Sequence, residues 1–171
     1  VCSSDLAWDH PTPWLFSDEI EYAQISSAIA ETGIPARRGV EYWGAGLFPF
    51  LIAPFWWIAN LEKAYGVVTT FQSLAMVASI FPTYALARML MRKPYALLAA
   101  VGSVLAPFLI YTAMVMEEPP AYLVAALAFY LTVRMLVQPT RGWIAAAVVV
   151  AVVSPFVRDQ LIVVPATMIG A

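Results

Sequence analysis

PPAYLVAALAFYLTVRMLV, residues 119 to 137, is an apolar run of about 19 residues broken by a single charge, Arg134. A helix of roughly 20 such residues spans the hydrocarbon core of a bilayer. Two more runs of that kind lie upstream, from Gly66 to Met91 and from Pro94 to Met116. The whole chain is 62% hydrophobic and only 12% charged, about half the charged fraction of an ordinary soluble domain. Its mean hydropathy is +0.78. These features predict an all-α, polytopic transmembrane helix bundle. No polar linker or internal repeat divides it.

Working outward from this run, Met116-Glu117-Glu118-Pro119-Pro120 forms a short acidic connection. The prolines suit the first turn of the next helix, where a missing N–H costs little. At the other end, Arg134 and Arg141 flank one helix exit, and Arg88, Arg92 and Lys93 flank another. The positive-inside rule makes those ends cytoplasmic, so residues 116 to 122 face outward. A fourth span is expected from Trp143 through the alanine- and valine-rich AAAVVVAVV to a break at Ser154-Pro155. Arg158-Asp159-Gln160 follows at its outer end, and a further helix starts at Leu161. Pro82 and Pro107 are expected to kink their helices, because each removes an internal hydrogen bond.

Upstream, GAGLFPFLIAPFWWIANL at 44 to 61 is apolar but carries Pro49, Pro54 and the pair Trp56-Trp57. Tryptophan concentrates at the membrane interface, so this stretch reads as an interfacial or half-inserted helix. A true span is the alternative, and would move Asp18 to the opposite side. Residues 17 to 33 read as an amphipathic surface helix, with Tyr22, Ile25 and Ile29 on one face and Glu21, Gln24, Ser27 and Glu31 polar. Asp18 and Glu21 resemble a capping box at its start; Gly33 and Pro35 supply the stop. The organisation expected is therefore an outer loop with interfacial helices over 7–65 and transmembrane helices over 66–171.

A net charge of -2 argues against nucleic acid as a partner, since phosphate binding needs a concentrated basic surface. Cys2 is the only cysteine, which rules out an internal disulfide framework or thiolate metal site. The opening VCSSDL is also what the end of a common sequencing adapter encodes when read in frame. Residues 1–6 are accordingly read as an artefact, and the apolar run at Met168-Ile169-Gly170-Ala171 as a second cut in a longer membrane protein.

This topology gathers Asp18, Glu19, Glu21, Glu117, Glu118 and Arg158 on one membrane face. A carboxylate held at the boundary of water and lipid, with a second acid nearby, can be poised as a general base. An arginine at the same depth can grip a phosphate through paired hydrogen bonds. Each residue also has a plainer role. Asp18 and Glu21 can cap a helix, for about 1 kcal/mol; Glu117 and Glu118 can keep a loop hydrated; Arg158 can snorkel. His10 reads as an isolated loop residue, and the scattered methionines as packing groups.

The order FSDEIEYAQISSAIAETG, EYWGAGLFPFLIAPFWWI, a span ending ALARMLMRK, and a span led by MEEPPAYLVAALAFYL resembles the amino-terminal region of GT-C glycosyltransferases. The similarity covers roughly residues 8 to 165. It is greatest to the branch of protein O-mannosyltransferases and of aminoarabinose or lipopolysaccharide-core transferases. Its most specific element is Asp-Glu-x-x-Tyr at Asp18, Glu19 and Tyr22, opening a helix in the first outer loop. Tyr42-Trp43-Gly44 stands where that branch more commonly has Tyr-Pro-Pro.

The resemblance implies a polyprenyl-phosphate-linked sugar as donor and a glycan, lipid or protein acceptor, with membrane lipid around the protein. It also implies a bacterial inner (plasma) membrane location, with the acidic loops facing outward. Asp18 then matches the base that deprotonates the acceptor, and Glu19 shares that role or binds acceptor. Tyr22, Glu117 and Glu118 are substrate-binding residues, Glu118 being a candidate ligand for a divalent cation such as Mg or Mn. Arg158 matches by position a clamp for the lipid phosphate. In the family a transmembrane helix precedes the first loop and more follow, so this fragment alone is expected to be inactive.

Two other classes remain open on sequence. A polytopic transporter or flippase subunit would use the acids and arginine to bind an ion or head group, although such proteins tend to place charge near the midplane. A structural membrane subunit would use them only to set topology.

Overall fold

The computed structural model describes residues 17–44, 46–105 and 114–169. Residues 1–6, His10, Pro107 and the expected helical segment 106–113 lie outside the described residues. The chain is mostly helical and divides into two compact units, Val1–Leu74 with Phe108–Pro119, and Ala75–Pro107 with Pro120–Ala171.

The first unit opens with helix α1, Ser17–Thr32, matching the expected helix in extent. It stops where Gly33 turns left-handed at φ +76 and returns its N–H to the Ile29 carbonyl at 2.8 Å; glycine adopts this conformation without a Cβ clash. A two-stranded antiparallel ribbon that the helical reading did not anticipate follows, β1 (Ala36–Arg37) and β2 (Val40–Glu41). Arg38 and Gly39, both at positive φ (53 and 80), form its turn, which suits the right-handed twist of paired strands.

Helix α2, Phe48–Ile52, and a 3-10 turn, Ala53–Trp57, are five residues each. Pro49 and Pro54 sit in their first turns, where no N–H is needed. The pair is far shorter than the roughly 20 residues a crossing requires, so the true-span alternative for 44 to 61 does not hold. Helix α3, Leu61–Ala78, follows. Phe48, Ile52, Tyr65, Val68 and Val115 form the core of this unit, with Tyr22, Phe55, Trp56 and Phe71 packed against it. The two tryptophans tie this layer to α1. Trp56 Nε1 donates to Ser26 Oγ at 2.6 Å, and Trp57 Nε1 to the Ala30 carbonyl at 3.0 Å.

In the second unit the chain continues from α3 into α4, Ile80–Leu90. The expected single span from Gly66 to Met91 is thus two helices within a 30-residue apolar run, Leu61–Leu90, separated at Ser79. Pro82 explains the break, since its ring and missing N–H act on the carbonyl four residues earlier, Ala78. Helix α5, Lys93–Leu105, packs against α4, and Arg88 Nη1 closes the turn on the Met91 carbonyl at 2.8 Å. The span expected to run to Met116 is not helical at its far end, because Met114–Glu117 is irregular. Helix α6, Glu118–Val137, covers the segment expected as the third span.

Helix α7 runs over Arg141–Val157 behind a Thr140 cap. It does not break at Ser154-Pro155. Proline there leaves the Ala151 carbonyl without its N–H, and Ser154 Oγ supplies the missing donor at 3.0 Å. Arg158 is extended, followed by a 3-10 turn, Asp159–Ile162, and α8, Val163–Ile169. Ala128, Ala151 and Val164 are the buried centre of this unit.

Among the described residues, two helical runs are long and apolar enough to cross a membrane, Leu61–Leu90 and Glu118–Val137. The described parts of α5 and α7, 13 and 17 residues, are shorter than that.

Candidate functional site

The acids of the first unit meet where the first turn of α1 faces the segment leading into α6. Glu19, Tyr22 and Ser26 share one face of α1, three and four residues apart, and that face is turned inward. Glu19 and Ser26 are fully buried. Glu19 Oε1 accepts from the Val115 N–H at 3.0 Å, across 96 residues of sequence. From α3, fully buried Gln72 donates through Nε2 to the Met116 carbonyl. The Tyr22 hydroxyl hydrogen-bonds the Glu117 carboxylate. Three consecutive residues of an irregular segment are therefore each held by a side chain from a helix.

These bonds answer a need created by burial. Met114, Val115 and Met116 are buried at 8%, 0% and 8% exposure, yet no helix or strand pairs their backbone. Each buried peptide group left unpaired would cost about 1–3 kcal/mol. Glu19 and Gln72 supply one acceptor and one donor. Their bonds fix the register of the segment, and with it the points from which Glu117 and Glu118 emerge, half-buried, beside Tyr22.

Tyr22 packs edge-on against Phe48, with ring centroids 5.2 Å apart. Burial is the main cause that holds its phenol well above the usual range; the Glu117 charge and hydrogen bond add to this, followed by the charges of Glu118 and Asp18. Tyr22 is consequently a neutral donor at any working pH. Asp18 is exposed, and Ser17 Oγ donates to its Oδ1 at 3.0 Å. It is the acid of the group with open access to solvent.

The structure brings Asp18, Glu19, Tyr22, Glu117 and Glu118 together in one unit. Glu21 points elsewhere, paired with Arg37 at 2.9 Å beside the ribbon, so it does not complete the expected capping box. Arg158 belongs to the second unit, half-buried at the C-terminal cap of α7. On α1's other face, Ile20, Gln24 and Ser27 line a largely apolar cleft of about 740 Å³ with Trp56 and Asn60; none of the clustered acids lines it. Among the described residues no three of His, Cys, Asp or Glu are arranged to hold a metal ion.

Gln72 is the residue that sequence reasoning missed. The signal was present, since Thr69, Thr70, Gln72 and Ser73 form a polar band inside an otherwise apolar run, and polar groups in such runs find internal partners. Thr69 and Ser73 are buried beside it and donate to the carbonyls of Tyr65 and Thr69 on their own helix. No family model matches the chain, and neither does any of the curated proteins or solved structures with which it was compared.

Proposed function

We propose that the chain is the acid-bearing, multi-pass membrane portion of an inverting GT-C-type glycosyltransferase, moving a sugar from a polyprenyl-phosphate donor to an acceptor at the outer face of a bacterial inner membrane. The observation that carries this reading is the convergence of Asp18 and Tyr22 with Glu117 and Glu118 from a segment about 100 residues away. Those are the two acidic pieces to which the family resemblance assigns substrate chemistry. Two apolar helical runs of membrane-crossing length adjoin them in sequence.

In this scheme the exposed Asp18 carboxylate takes the proton from the acceptor hydroxyl or amine. The freed lone pair attacks the anomeric carbon from the face opposite the phosphate, and the carbon–oxygen bond to that phosphate breaks. Its electron pair leaves with the polyprenyl phosphate, and one displacement inverts the centre. Tyr22, kept neutral, orients Glu117 by hydrogen bonding, and Glu117 and Glu118 accept bonds from sugar or acceptor hydroxyls. Arg158 is retained as the phosphate clamp on the resemblance alone. Glu118 stays the candidate ligand for a divalent cation on the resemblance alone, and the scheme is written through the chain's own residues.

The test is donor consumption in proteoliposomes, comparing the wild type in its full-length protein with Asp18→Asn inserted to the same level. A base contributes about 10²–10⁴-fold, so a loss of at least about 100-fold is expected. Equal consumption by both would reduce Asp18 to a helix cap and end this assignment. Uptake or flipping of a head group without sugar transfer would favour a transporter instead.

A further inference from the structure

We propose that Glu19 is a positioning residue and not a second acid: it acts through its hydrogen bond to the Val115 backbone, which with the Gln72 bond to Met116 holds Glu117 and Glu118 at the site. The assignment deepens the transferase reading and rests on it for its catalytic consequence, whereas the tether itself is a property of the fold. Three observations support it. Glu19 has 0% exposure and offers no surface to a substrate. Its Oε1 engages a main-chain N–H at 3.0 Å. The neighbouring residue of the same segment is anchored from a different helix by Gln72.

The chemistry makes a sharp distinction. A general base or a cation ligand needs the carboxylate's charge or basicity, whereas a tether needs only an acceptor oxygen of the right reach. Glutamine keeps that oxygen and has the same length, so Glu19→Gln should preserve a tether and abolish an acid. Glu19→Ala removes both. Asp18→Asn provides the contrast, because the adjacent acid is exposed and its role depends on charge.

Amide hydrogen exchange across residues 114–117 reads the tether directly in the reconstituted full-length protein. Donor turnover reads its consequence at the site. In Glu19→Gln, exchange protection should stay within about threefold of wild type, with turnover close to wild type. In Glu19→Ala, protection should fall at least about tenfold, the loss expected from about 1.4 kcal/mol, and turnover should fall with it as Glu117 and Glu118 move away.

If Glu19→Ala does not fold, Gln72→Met loosens the same segment from the other side and should lower its protection in the same way. Glu19→Gln that keeps its protection but loses turnover as fully as Asp18→Asn would overturn the proposal, as would Glu19→Ala or Gln72→Met with unchanged protection. A catalytically silent Asp18→Asn, with the exchange pattern as expected, would remove the transferase reading and leave the tether standing.

Discussion

Two helical runs in this chain pass the same test of length and apolarity, and they are used differently. Leu61–Leu90 has half of its apolar window buried, whereas Glu118–Val137 has 22% buried. The first carries Thr69, Gln72 and Ser73 inward, and Gln72 reaches across to another segment's backbone. In the second, Thr132 Oγ1 bonds the Ala128 carbonyl one turn back on its own helix at 2.8 Å, and Phe129, Leu136 and Val137 are exposed. A helix of membrane-crossing length can thus turn polar side chains onto another segment's backbone or leave mainly apolar ones exposed. Hydropathy alone does not separate the two; the partners of the polar side chains do.

The largest expected effect tests that separation. Gln72→Ala leaves the buried Met116 carbonyl without its donor and creates a small void, for about 2–3 kcal/mol of destabilisation. Thr132→Ala removes only a bond within its own helix, and should cost within about 0.5 kcal/mol. Thermal unfolding in detergent micelles measures both. Equal losses would show that α3 and α6 use their polar residues alike, and the contrast between them would collapse.

How much of this was legible in the sequence follows from the same physics. Apolar length and basic flanks located α6 to within a residue, because burial in lipid and helical hydrogen bonding both act along one contiguous stretch. The α1 helix was legible from its spacing, Ser17–Thr32 against an expected 17 to 33. Glu19 was assigned to the site but its role was not evident. It lies three residues before Tyr22 and seven before Ser26, on the inward face, but a carboxylate is ordinarily placed outside. Met114–Met116 was read as the end of a span because apolar residues buried by protein look like those buried by lipid. The ribbon's Arg38-Gly39 turn was missed because its strands are only two residues long, too short for any alternation to register.

A smaller effect concerns the polar wall itself, and has a sign. The Tyr22 phenol is raised in the folded protein, mainly by burial and then by Glu117. The folded state therefore retains this proton where the unfolded chain, near the ordinary tyrosine value of 10.0, gives it up. The contribution is fully present below that value and is lost as pH rises above it. Wild type should lose stability between pH 10 and 12 faster than Tyr22→Phe, as followed by denaturation midpoints. Parallel curves would mean that Tyr22 is as exposed to water as an ordinary surface tyrosine.

The smallest effect sharpens the comparison from the side of α6. Its one internal cation, Arg134, lies over the Trp143 ring at 4.9 Å, and Tyr130 meets the same ring edge-on at 6.2 Å. This charge is thus covered by an aromatic face from α7 within one unit. Trp143→Leu keeps the apolar volume roughly but removes the quadrupole, and should cost about 0.5–1 kcal/mol. Arg134→Lys, still cationic but without a planar group to stack, should lose part of that amount while leaving membrane orientation unchanged. A double-mutant cycle on unfolding midpoints isolates the coupling. Coupling near zero would mean that Arg134 gains nothing from the Trp143 ring, and the contrast with Gln72 of α3, which bonds another segment's backbone, would sharpen.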